Sequence, residues 1–144
     1  MNFPAPVAGM VIAYSFLWVN EAQEGHAEGR KNRPCAVLLV VTDPKHHNPS
    51  VVVAPITHRR PEVADGAVEV PHRVRQYLGL DGERSWVVLT EFNHFAWPGF
   101  DLRLISPSRP EHVYGLLPPA FFDVLIQKFK QLRQENRAAV VPRD

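Results

Sequence analysis

The apolar positions of this chain fall in short runs, each closed by Pro, Gly, Asn or Asp. Residues 9–19 (GMVIAYSFLWV) are apolar, β-branched or aromatic with no Gly or Pro inside, and predict a first strand. Residues 20–32 (NEAQEGHAEGRKN) are polar and carry two glycines, which predicts an exposed loop. Pro34 then precedes the apolar run 35–41 (CAVLLVV). Proline has no N–H to give to a ladder, so it fits the first position of a strand, expected here over 34–42. Residues 43–49 (DPKHHNP) are a turn cluster, and 50–56 (SVVVAPI) predict a third strand with an edge or bulge near Pro55. Residues 57–66 (THRRPEVADG) form a second basic loop and 67–70 (AVEV) a short strand.

Further on, 72–78 (HRVRQYL) predict one or two helical turns, with Gly79 suited to their C-terminal end. Residues 85–92 (SWVVLTEF) predict another strand, followed by an aromatic stretch to Gly99. Residues 101–105 (DLRLI) predict the last strand, and 106–112 a loop. Pro118 and Pro119 open the clearest helix, expected over about 119–136. Its apolar residues Phe121, Leu125, Phe129 and Leu132 recur four, four and three apart, which is one helical face. Gln127, Lys130, Gln131 and Gln134 lie opposite. Residues 137–144 are expected to fray. There is no internal repeat, and the pattern predicts one mainly β (α+β) domain over 1–144 with a C-terminal helix on the sheet.

Composition narrows the chemistry. The 144 residues suffice for one domain with a proper core. A net charge of +1 announces no polyanion partner, so any such site must come from local clustering. Cys35 is the only cysteine, which excludes an internal disulfide and a cysteine-based zinc site and fits a reducing cytosol. The first residues carry no basic n-region, so no signal peptide is expected, and no apolar run approaches a membrane span. The 14 prolines sit between the apolar runs, as short strands joined by stiff turns require.

Two basic segments flank strands: Arg30, Lys31 and Arg33 before the second strand, and His58, Arg59 and Arg60 after the third. In an antiparallel pair the start of one strand lies beside the end of its neighbour, which would bring Arg33 near Thr57 and His58. Guanidinium, hydroxyl and imidazole together suit a phosphodiester; the other reading is two unrelated solvent loops. His46 and His47 are adjacent and point apart, a poor metal site. His26 and His94 are each open to a structural or exposed role, and Glu91 faces either a pocket or solvent. Trp18, Trp86 and Trp97 could stack bases, although Trp18 and Trp86 stand in apolar strands and fit a core. No Gly-rich phosphate loop, nucleophile elbow or HExxH is present, and neither a metal nor a cofactor is expected.

Three stretches in order carry a resemblance: Gly9-Met-Val-Ile, then Arg33-Pro34-Cys-Ala-Val-Leu, then Val51-Val-Val-Ala-Pro55-Ile56-Thr57. Together they resemble the MazF/PemK (Kid) family of toxins from bacterial toxin–antitoxin pairs. RSWVVLTEFNHFAWPG and YGLLPPAFF are similar to a PemK-like branch with a longer C-terminal part. The shared core covers about residues 9–105. The resemblance implies an SH3-like β-barrel of the CcdB/PemK/MazF type with a C-terminal helix, forming a homodimer. It also implies a cytoplasmic, metal-independent endoribonuclease that cuts single-stranded RNA and inhibits growth until a cognate antitoxin neutralises it.

Carried across by position, Arg33 matches the family's catalytic arginine and Thr57 its catalytic threonine. His26 resembles a loop histidine of the Kid branch, at an interval from Arg33 one residue longer. Glu91 falls where that branch has an aspartate, and Leu89 stands where it has an arginine. In such a reaction a 2′-hydroxyl attacks the adjacent phosphorus, and Arg33 would stabilise the phosphorane oxygens. Arginine stays protonated and is a poor base, so His58 or His26 is expected to share proton transfer. Arg30, Lys31, Arg59 and Arg60 would grip flanking phosphates. The alternative class is a non-catalytic module on the same barrel, binding RNA without cutting it or poisoning a protein as CcdB-type toxins do.

Overall fold

The first apolar run becomes β1 (Met10–Ser15), every residue of which is buried. In the computed structural model, residues 3–25, 31–45, 47–61 and 64–143 are described. After β1 come α1 (Val19–Gln23), β2 (Asn32–Val41) and β3 (Ser50–Thr57). A 3-10 turn (Ala64–Gly66) leads into β4 (Ala67–Glu69) and α2 (His72–Leu78). The chain continues through β5 (Trp86–Val88), β6 (Glu91–Ala96), β7 (Val113–Leu116), α3 (Pro119–Gln134) and β8 (Ala139–Pro142). The fold is mainly β, with the strands in one eight-stranded sheet of order β4-β5-β3-β2-β1-β7. β6 branches from β3 and carries β8, which pairs with it in parallel while the other pairs are antiparallel. Among the described residues no pairing joins β4 to β7, so the sheet is not closed into a barrel.

Side chains alternate between the two faces of this sheet, and both faces are buried. Val11, Ala36, Leu38, Ala54 and Phe92 face α2 and α3. Ile12, Tyr14, Cys35, Val37 and Val53 form a second cluster on the other face, with Phe95 stacked on Tyr14 at 4.7 Å. Trp97, Leu102 and the half-buried Phe3 and Val113 complete it. Burial on both faces explains why the strands read as continuous apolar runs.

The helix α3 buries Phe121, Leu125, Phe129 and Leu132, the four residues its spacing singled out. Each such side chain contributes about 1.5–3 kcal/mol on leaving water. α2 ends at Gly79, whose φ of 71° is the left-handed conformation that Gly adopts without strain. Pro55 sits where β3 changes partner, from β6 at Ser50–Val53 to β5 at Ile56–Thr57, so its missing N–H interrupts neither ladder.

Several expectations are corrected. The first strand stops at Ser15, and Trp18 and Val19 turn into α1. The second begins at Asn32, because Tyr14 and Ser15 pair with Arg33 and Asn32; Arg33 is therefore in a strand and not in a loop. The run 85–92 breaks at Leu89–Thr90 into β5 and β6, which pair with different stretches of β3, Ile56–Thr57 and Ser50–Val53, and β6 extends through the aromatic stretch to Ala96. Residues 101–105 contribute only one bridge, Leu102 to Tyr14, and the strand beside β1 is instead β7. The segment expected to fray forms β8. There Arg143, with a side chain 3% exposed, pairs with Asp101 at 2.7 Å.

Cys35 is fully buried, and burial pushes its thiol far above the ordinary range. The thiolate is the reactive form, so the native protein is expected to resist a disulfide reagent such as Ellman's and to react promptly once unfolded in denaturant. Rapid labelling of the native protein would contradict the buried placement of β2.

Candidate functional site

The β2–β3 register pairs Cys35 with Pro55 and Ala36 with Ala54. The pairing runs no further: Arg33 and Thr57, each two positions beyond the Cys35–Pro55 pair on its own strand, are paired instead with Tyr14 of β1 and Trp86 of β5. Arg33 and Thr57 thus stand near the adjacent ends of two paired strands. Thr57 is half-buried, and its Oγ1 accepts a bond from the Arg59 N–H at 3.1 Å, which leaves the hydroxyl proton available.

Arg33 is the most unusual group here. Its guanidinium carbon lies 5.1 Å from the centre of the Trp18 ring, a cation–π contact. Its Nε is buried with no hydrogen-bond partner, and among the described residues Arg33 makes no ion pair. Burial holds its pKa below the ordinary arginine value, with Cys35 and Glu21 acting in the opposite sense. Arginine remains charged under such a shift, so the site holds a partly desolvated cation covered by an aromatic face, with the Glu21 carboxylate acting on it without an ion-pair contact.

Trp18 is placed by distant side chains. Asn93, fully buried on β6, accepts from the Leu17 N–H at 2.9 Å and donates to the Leu17 carbonyl at 2.8 Å. Glu91, two residues earlier on the same strand face, accepts the Val19 N–H at 2.7 Å, one of the donors that the start of α1 leaves unpaired. Glu21 accepts the Trp18 N–H at 3.1 Å. These bonds stop the first strand and turn the indole out into a cleft of about 840 Å³.

Trp18, Thr57, Arg59, Arg60, Glu91 and Arg137 line that cleft, with Glu21 and Glu24 on the α1 side. Four predicted site residues therefore share one concavity, and Arg33 joins them through its contact with Trp18. Arg137 was not expected there; it is held by Asp65 at 2.6 Å and Glu135 at 2.9 Å. Trp18, open in the sequence to base stacking or to the core, packs half-buried on the core and also lines the cleft. Lys31 is exposed immediately before β2. His26 and Arg30 lie outside the described residues.

His58 departs from expectation. It is not among the residues lining the cleft, and its ring turns to the segment 81–84. Nδ1 lies 2.9 Å from the Arg84 carbonyl and Nε2 2.7 Å from Asp81 Oδ2. The Arg84 carbonyl, then burial acting in opposition, then Asp81 leave its pKa above the ordinary histidine value. A ring engaged at both nitrogens and turned from the cleft is not placed to move a proton there. Glu91, which the sequence left open to a pocket or to solvent, lines the cleft.

No protein-family model matches this chain, and no curated protein matches it.

Proposed function

We propose that this protein is an RNA-cleaving toxin of the MazF/PemK type, a metal-independent endoribonuclease acting on single-stranded RNA. The observation that supports the reading best is Arg33: a half-buried arginine with a buried, unpartnered Nε, near the strand end that carries Thr57 and stacked on a cleft-lining indole. A phosphodiester satisfies all three. Its oxygens accept from the guanidinium and from Thr57 Oγ1, and an adjacent base can stack on Trp18. Arg59 and Arg60 suit the flanking phosphates.

In this reading the 2′-oxygen attacks phosphorus and the 5′-oxygen leaves, giving a cyclic phosphate and a 5′-hydroxyl. Arg33 stabilises the charge that develops on the phosphorane oxygens. Among the described residues only Oε1 of Glu91 is engaged, at the start of α1. Its other oxygen can take the 2′ proton, while a water supplies one to the leaving oxygen. The eight-stranded sheet is taken as an open form of the family's SH3-like barrel. A homodimer, a cognate antitoxin and a cytoplasmic location belong to the proposal through the resemblance. No described helix is long and apolar enough to cross a membrane.

A second reading, a non-catalytic RNA- or protein-binding module, is favoured by Leu89. It stands where the Kid branch has an arginine, and it is fully buried in the core. Thr57→Val separates the two. Under the nuclease reading, loss of one hydrogen bond to a charged phosphate lowers single-turnover RNA cleavage about 10–100-fold. Folding should be preserved, since valine is nearly isosteric with threonine. Wild-type protein that binds RNA in a salt-sensitive way and leaves it intact would establish the module instead.

A further inference from the structure

Thr57, Arg59 and Arg60 line the cleft, whereas His58 between them turns to the segment 81–84. The Arg84 carbonyl 2.9 Å from Nδ1 can only accept, so Nδ1 carries a proton. Asp81, as a carboxylate, can also only accept, so without an ion Nε2 donates to Asp81 Oδ2 at 2.7 Å, with Glu83 Oε2 at 3.8 Å, and an ion bound there takes the place of that proton. The three atoms lie within 4.8 Å of one another. Asp81 Oδ1 accepts the Glu83 N–H at 3.1 Å, which aims its other oxygen at the histidine.

We propose that His58 Nε2, Asp81 Oδ2 and Glu83 Oε2 form a binding site for a divalent cation of the zinc class, with a fourth position open to solvent. A tetrahedral ion with bonds of about 2.0–2.2 Å holds its ligands about 3.3–3.6 Å apart. The short contact must open and the longest must close, and exposed side chains do both by rotating. One imidazole and two carboxylates suit Zn²⁺ better than Mg²⁺ or Ca²⁺, which take oxygen ligands alone. A ring whose second nitrogen donates to a backbone carbonyl is the arrangement that orients metal-bound histidines.

The side chains of His58, Asp81 and Glu83 are 40%, 58% and 76% exposed, so an ion reaches them without any opening of the fold. None of the three belongs to the Arg33–Thr57 pair. The ion would instead tie the segment that follows β3, which carries Arg59 and Arg60, to the turn before β5. This role goes beyond the nuclease reading, needs no metal in the chemistry, and stands or falls apart from it.

The test is calorimetric titration of untagged, EDTA-stripped protein with ZnCl₂. Wild type should bind one ion per chain with a Kd on the order of micromolar, and the Asp81→Asn/Glu83→Gln variant should bind at least about tenfold more weakly. Glu83→Gln alone changes one solvent-facing group and should weaken binding in the same direction, so the result does not hang on folding of the double variant. Absence of zinc binding at about a hundred times that Kd, or wild-type affinity in both variants, would overturn the site.

Discussion

Arg143→Ala is expected to lower the stability of this protein by about 3–5 kcal/mol, the cost of removing one partner from a buried ion pair. The Arg143 side chain is 3% exposed and that of its partner Asp101 13%. From one guanidinium nitrogen, Nη1, Arg143 also donates to the Tyr14 hydroxyl at 3.3 Å, the Ser15 carbonyl at 3.0 Å and Asn93 Oδ1 at 2.8 Å. Its backbone N–H bonds the His94 carbonyl, and the cation lies over the Tyr14 ring. Truncation therefore leaves Asp101 with only the longer contact to Arg103, at 3.8 Å, and weakens three further groups in low dielectric. Whole-domain stability is usually about 5–15 kcal/mol, so this is a large share. Thermal unfolding should show a drop of about 10 °C, and urea unfolding a lower midpoint.

The effect should also reach the cleft. Asn93 holds Leu17 with the same oxygen that accepts from Arg143, and Leu17 precedes the indole that covers Arg33. Stability within about 1 kcal/mol of wild type would mean that β8 and its arginine contribute little to the native state.

The second large effect is expected at Arg33 and runs in the opposite direction for stability. Methionine is close to arginine in length and carries no charge. Because burial disfavours the Arg33 cation and no carboxylate is paired with it among the described residues, Arg33→Met should leave the melting temperature unchanged or raise it. RNA cleavage should fall about 10²–10³-fold, the typical loss when one preorganised donor to a developing oxyanion is removed. A stabilised, inactive variant identifies a charge kept for binding. A destabilised variant with full activity would make Arg33 a structural residue and move the site elsewhere.

How far the sequence spoke for itself differs by element. α3 was legible because its pattern is local: four apolar residues at helical spacing behind two prolines. That Arg33 and Thr57 lie near adjacent strand ends was legible because each stands at the end of a strongly apolar run and those two strands pair. α1 was not, because Trp18 and Val19 look like more strand. What stops the strand is Asn93 and Glu91, more than 70 positions away. β5 and β6 read as one run because a break between stretches that pair with different parts of β3 leaves no mark on hydropathy. β8 read as a fraying end because its stability comes from parallel pairing with β6 and from Arg143, neither of which is local. Gly115, at φ 146°, hid β7 by interrupting its apolar run. The grouping of His58 with Asp81 and Glu83 had no sequence spacing to reveal it, since the fold alone brings those segments together.

The central claim is most directly tested by incubating a long single-stranded RNA with the purified protein in excess EDTA and mapping the ends it creates. The account predicts cuts at one short sequence, each leaving a 5′-hydroxyl, and no such cuts with Arg33→Met. RNA left intact by folded wild-type protein, or cut equally by the variant, would contradict it.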